Sequence, residues 1–167
     1  MAQALLTDVV SHWYHLFEGT NQSTQEFYAR LEQALKERAI PDATFGHIEI
    51  KEGGLLSAKR LYLRIWRKKH VFDICGATFG KGFFVSWWLS ELPSGCLAFL
   101  SSIPVVNVLT WWLAKPVTYY KIDTALMFQQ YVHSAVLEVL DAVTTAKGVR
   151  ALSESERKPI MRDFFHR

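Results

Sequence analysis

Hydrophobic positions recur every three or four residues at the start of the chain, and the period shortens to two beyond Pro41. Leu5, Leu6, Val9, Val10, Trp13 and Phe17 fall at helical spacing, and Gly19 supplies a stop. A second helix starts at Ser23, with Glu26 three residues on in capping-box order; its apolar stripe is Phe27, Leu31, Ala34 and Leu35, and Pro41 closes it. Residues 1–41 are therefore expected to form a helical hairpin. Residues 44–51 then alternate, with Phe45, His47 and Glu49 against Ile48 and Ile50, and Gly53-Gly54 marks a turn. In residues 60–68, Leu61, Leu63 and Ile65 oppose Arg60, Tyr62, Arg64, Trp66 and Lys68. Residues 71–75 and 83–89 complete a four-stranded antiparallel meander within 44–90, joined by short links.

Asp123 or Thr124 is expected to cap a long amphipathic helix packed on the sheet. Its stripe is Phe128, Val132, Ala135, Val136, Val139, Leu140 and Val143, and Lys147-Gly148 ends it. Gln129, Gln130, His133, Glu138 and Asp141 fall on the expected wet side. A short helix is expected over residues 153–167, although Pro159 would suit a first turn better than the interior, so residues 123–167 supply the C-terminal helices. The expected class is α+β, in a single domain spanning residues 1–167.

The most informative segment lies between sheet and helix. Residues 92–114 contain no charged side chain, and tryptophan pairs flank them at Trp87-Trp88 and Trp111-Trp112. The length suits a membrane span and the aromatic margins suit its interfaces. Ser101, Ser102, Pro104 and Asn107 interrupt the middle, and a single crossing would separate the long helix from the sheet that must cover it. A short apolar helical hairpin turning near residues 103–107 meets both objections. Each arm of about nine residues then spans about 14 Å, well short of ~30 Å of hydrocarbon. It can dip into one leaflet, lie in the interface or fold back on the sheet.

Composition narrows the class. With 50% hydrophobic and 14% aromatic residues and a net charge of +3, the chain is no disordered tail. Cys75 and Cys96 are too few for a disulfide framework, and they fit a reducing compartment. The first residues lack a basic signal-peptide region, so a cytoplasmic location, peripheral on a membrane, is expected. Positive charge is concentrated in Arg60, Arg64, Arg67, Lys68 and Lys69, interleaved with Tyr62 and Trp66. Such a face can rest on anionic headgroups, hold nucleic acid by phosphates and stacking, or simply shield a sheet.

Candidate chemistry is sparse. The glycines at 76, 80 and 82 lack phosphate-loop spacing and read as a hairpin. His12 and His15, one helical turn apart, have no further ligand at metal spacing. Asp73, in an apolar strand, requires a partner such as Arg60 or Arg64. Cys96 follows Gly95 in a loop after the meander. A helix, four strands, a loop cysteine and then helices make an order of parts similar to ubiquitin-conjugating enzymes, which implies a thioester-forming Cys96. Their His-Pro-Asn segment is replaced here by Glu91-Leu92-Pro93-Ser94-Gly95, and the extra N-terminal helix has no counterpart.

No reaction, cofactor or metal is expected. The expected role is binding: attachment to a membrane surface or membrane protein through Trp87, Trp88, Leu97, Phe99, Leu100, Val105, Val108, Leu109, Trp111 and Trp112. Arg60, Arg64, Trp66, Arg67, Lys68 and Lys69 would contact an anionic surface. A protein partner or a second copy of the chain fits the apolar load. The alternatives are a soluble protein-interaction module, a nucleic-acid-binding module and a Cys96-dependent transferase.

Overall fold

The computed structural model describes residues 9–51, 59–92 and 118–161. Strands β1 (Val9–Phe17), β2 (Ala43–Lys51), β3 (Lys59–Arg67), β4 (His70–Phe79), β5 (Gly82–Glu91) and β6 (Ile160–Met161) form one antiparallel sheet in the order β2-β3-β4-β5-β1-β6. Helices α1 (Thr24–Glu37) and α2 (Tyr119–Ala146) complete the α+β architecture. The expected hairpin over residues 92–114 lies, beyond Leu92, outside the described residues.

Among the described residues the sheet has six strands rather than four, and one helix, α1, stands where two N-terminal helices were expected. The first expected helix is β1, which pairs along β5 from Val9↔Ser90 to Phe17↔Phe83. Residues 13 and 17 share a face on a helix, but their even spacing also keeps them on one face of a strand, while the bulge turns Val9, opposite Ser90, to the other. The local composition, Val-Val-Ser-His-Trp-Tyr, favours the pleated form. Ser11, Trp13 and Phe17 are buried toward the helices, while Tyr14 and Leu16 reach solvent on the other face. A register shift between Val9 and Ser11 lets Val10 and Ser11 both be buried.

Helix α1 begins as its sequence dictates: Ser23 Oγ accepts from the Glu26 amide at 3.4 Å. Phe27, Tyr28, Leu31, Ala34 and Leu35 are buried. Gly76 leaves the space that Phe27 fills, since a Cβ there would stand 2.6 Å from the ring. Tyr28 reaches across the sheet to donate to the Leu61 carbonyl at 2.7 Å and accept from the Gly76 amide at 3.0 Å.

Helix α2 starts earlier than Asp123 or Thr124. Thr118 is its N-cap, and Thr124 Oγ1 instead donates back to the Tyr120 carbonyl at 2.7 Å. All seven residues of the expected apolar stripe are buried, but so are Gln129 and His133, which were placed on the wet side. Beyond α2, the expected terminal helix stops after one turn. Ser153 Oγ accepts from the Glu156 amide at 3.4 Å, while the Glu156 carboxylate accepts from the Ser153 amide at 2.7 Å, a closed capping box. Pro159 has no amide hydrogen and biases Lys158 to extended backbone, so the chain leaves the turn as β6 beside Ser11 and His12.

The core lies between the sheet and the two helices, built on Trp13, Phe27, Leu31, Ile65, Phe72, Ile74, Phe83, Trp87, Phe128, Val132 and Val136. Among the described residues, no helix is long and apolar enough to cross a membrane.

Candidate functional site

Strand alternation sorts His12 from His15 and Trp87 from Trp88. His12 and His15, an odd number of residues apart, lie on opposite faces of β1 instead of sharing one. His12 stacks on Trp88 at 4.8 Å, on the face away from the helices; His15 packs on the helix side, 4.7 Å from Phe17. Among the described residues, no cluster of three or more potential metal ligands occurs. Trp88 is half-buried on the open face, whereas Trp87 is fully enclosed and cannot serve as a membrane or partner contact. The remaining expected contacts, Leu97, Phe99, Leu100, Val105, Val108, Leu109, Trp111 and Trp112, and the candidate nucleophile Cys96, lie outside the described residues. Cys75 is a buried free thiol, and burial pushes its pKa up.

Trp87 belongs to a buried polar cluster. Its indole nitrogen donates to His133 Nδ1 at 3.1 Å. An indole nitrogen can only donate, so Nδ1 must be the acceptor and Nε2 must carry the hydrogen. Nε2 then donates to the Arg157 carbonyl at 2.7 Å. Trp13 Nε1 donates to the neighbouring Glu156 carbonyl at 2.6 Å, and Arg157 forks onto Asp141 at 2.7 and 2.9 Å. These bonds clasp the returning chain to both β1 and α2. They also explain why His133 is not on a wet face: its ring satisfies two buried groups. Gln129 likewise satisfies a buried group, accepting from Ser11 Oγ at 2.5 Å.

Desolvation lowers the pKa of His15, His70 and His133 below the ordinary histidine value of 6.5. The unfolded chain therefore binds more protons than the folded one just below pH 6.5. Stability contributed by the neutral rings is full above that pH and is lost as pH falls through the depressed values. Chemical denaturation at pH 7.5, 6.5 and 5.5 should give falling midpoints, with the slope reduced in His133→Gln. A flat profile would contradict this account.

The expected basic face is divided. Asp73 is buried, and Arg64 closes on it with two bonds, Nε to Oδ1 at 2.6 Å and Nη2 to Oδ2 at 2.7 Å. The Arg64 guanidinium also lies 5.8 Å from the Trp66 ring centroid. Trp66 packs over Gly46, where a Cβ would stand 3.0 Å from the indole. Arg67 is half-buried, its Nε donating to the Pro41 carbonyl at 3.0 Å. What remains exposed falls at opposite ends of β3: Arg60 near its start, and Lys68 and Lys69 in the turn beyond its end. The separation is about 26 Å at 3.3 Å per strand residue.

Two surface features result. At the β3–β4 turn, Lys68 adopts φ +54°, a left-handed conformation that an L-residue rarely takes and that glycine would adopt without strain. The Leu92 amide donates to the Lys69 carbonyl at 2.7 Å, so the uncharged segment leaves the sheet beside this turn. Helix α2 brings the chain back to the same end. Its Phe128 ring sits 6.4 Å from His70, and Tyr119 lies about 14 Å further along the helix toward its N-terminus. Tyr119 and Tyr120 are 81% and 79% exposed. Their adjacency just before the helical stripe was visible in sequence, but nothing there indicated that both would face outward.

The second feature is an open cleft of about 440 Å3 at the other end of the strands, on the face away from the helices. Tyr14, Leu16, Phe79 and Phe84 form its apolar lining, with Arg60 at the edge. A helical reading of residues 9–17 conceals this cleft, because Tyr14 and Leu16 come together with Phe84 only when β1 pairs with β5.

No family model matches the chain, and no curated protein matches it. Among solved structures, the chain is similar to the di-domain ARO/CYC StfQ from the steffimycin biosynthetic pathway, at 11% identity and a TM-score of 0.37. The overlap covers 84% of this chain and 52% of that one, so the chain spans about half the length of that protein. A likeness of this degree carries no assignment.

Proposed function

We propose that the protein is a binding protein that attaches to an anionic membrane surface through residues 95–113, assisted by the Lys68-Lys69 turn and by Tyr119 and Tyr120. The observation that carries this reading is the convergence at one end of the molecule: the Leu92 amide is tied to Lys69, and the exposed tyrosine pair begins α2 at the same end. The described residues on either side of the uncharged segment thus bring cations and exposed aromatic rings to one end, the combination that an interface rewards. Lys68 holds its charge in a backbone conformation better suited to glycine, which is consistent with a use for that charge. Its pairing with Asp42 at 3.3 Å is exposed and worth little. Arg64 takes no part, since Asp73 neutralises it.

Flotation with protein-free vesicles of phosphatidylcholine, with and without phosphatidylserine, tests the reading. The protein should float with the anionic vesicles and lose binding as salt is raised. Neutralising two cations in Lys68→Gln/Lys69→Gln should weaken binding by about 2 kcal/mol, roughly thirtyfold. Leu109→Glu should abolish it. A wild-type protein that stays down with both vesicles sinks the proposal. Binding to native membranes but not to bare vesicles transfers the role to a membrane-embedded protein partner.

A further inference from the structure

We infer that the cleft on the open sheet face binds an amphipathic monocarboxylate, with its apolar body against Tyr14, Leu16, Phe84 and Phe79 and its carboxylate on Arg60. The volume of about 440 Å3 is in the range of small-molecule sites, roughly 300–1,000 Å3. Its lining is apolar and aromatic, supplied by three adjacent strands, β1, β4 and β5, together with Arg60 of β3. Charge sets the ligand class. His15 borders the cleft, yet its ring packs on the helix side against Phe17, so Arg60 is the ionic group presented to a ligand among the described residues. No described carboxylate pairs with Arg60. Arg60 is exposed and lies two residues from Tyr62 on the same face of β3, beside the cleft. A guanidinium can grip a carboxylate with two parallel bonds, and an apolar tail then covers side chains otherwise left to water. Phe79, 73% exposed at the end of β4, is the clearest such side chain.

This inference does not rest on the membrane reading, because the cleft and the Lys68-Lys69 turn lie at opposite ends of β3. Octanoate titrated into the isotopically labelled full chain, with amide shifts followed by NMR, supplies the test, and octanol serves as the uncharged control. Octanoate should saturate at one equivalent, with shifts concentrated at residues 14–16, 60, 77–79 and 84. Arg60→Gln should weaken octanoate by roughly tenfold or more while leaving octanol nearly unchanged. Phe79→Ala should weaken both, and Lys68→Gln/Lys69→Gln should affect neither. Non-saturating shifts, shifts centred elsewhere, equal affinity for acid and alcohol, or octanoate binding indifferent to Arg60→Gln would each overturn the assignment. Arg60 and Phe79 are both exposed, so neither substitution removes core packing.

Discussion

Replacing Trp87 with alanine should destabilise the fold by about 3–5 kcal/mol, measured as the shift in urea-unfolding free energy. The side chain is wholly enclosed, its ring centroid lying 4.7 Å from Phe72 and 5.4 Å from His133. Truncation removes that packing and leaves His133 Nδ1 without its donor in a buried site. The two losses are separable. Trp87→Phe keeps much of the volume and removes only the indole hydrogen, so it should cost less than the alanine variant but more than a conservative exchange. With total stabilities ordinarily about 5–15 kcal/mol, the alanine variant should already be partly unfolded at moderate temperature. A loss below about 1 kcal/mol would mean that the enclosed position is not as well packed as its geometry indicates.

The second large effect is expected at Asp73. Asp73→Ala leaves the Arg64 guanidinium largely shielded from water with no carboxylate, and breaking one half of such a pair typically costs about 3–5 kcal/mol. The reverse change, Arg64→Ala, strands the more deeply buried partner. The informative comparison is the double variant Arg64→Met/Asp73→Leu, which removes both charges and fills the space. It should recover most of the loss, because the desolvation of the pair offsets much of its mutual attraction. If the single and double variants are equally unstable, packing around the two side chains, rather than their charge, accounts for the effect.

That Asp73 needs a basic partner was legible in sequence, since an acid in an apolar strand needs a base; the sequence left Arg60 and Arg64 open, and cross-strand register selects Arg64. So were the buried stripe of α2 and the capped start of α1. The misreadings share one physical origin. Residues 13 and 17 satisfy helical and strand periodicity at once, and nothing local says that β5, lying more than sixty residues away, will supply their hydrogen bonds. Taking residues 9–17 as helix removed a strand from the sheet, separated Tyr14 and Leu16 from Phe84, and put the two histidines on one face. His133 and Gln129 were misplaced for a related reason. Polar side chains on a helix are placed outward by default, and their buried partners, Trp87 and Ser11, come from distant strands. The basic stripe on β3 was correctly seen as alternating, but alternation says nothing of which cations a neighbouring strand neutralises.

Insertion of β1 between β5 and β6 has a kinetic corollary. Trp13 aligns with Trp87 in the sheet, and its indole bonds to the carbonyl of Glu156. During synthesis the earliest described strand therefore emerges with no neighbour to dock on, and stays so until the ribosome has delivered β5. Its outer margin gains β6 later still. Until then an aromatic ribbon is open to strangers, which places the period of greatest aggregation risk before the chain is finished rather than after.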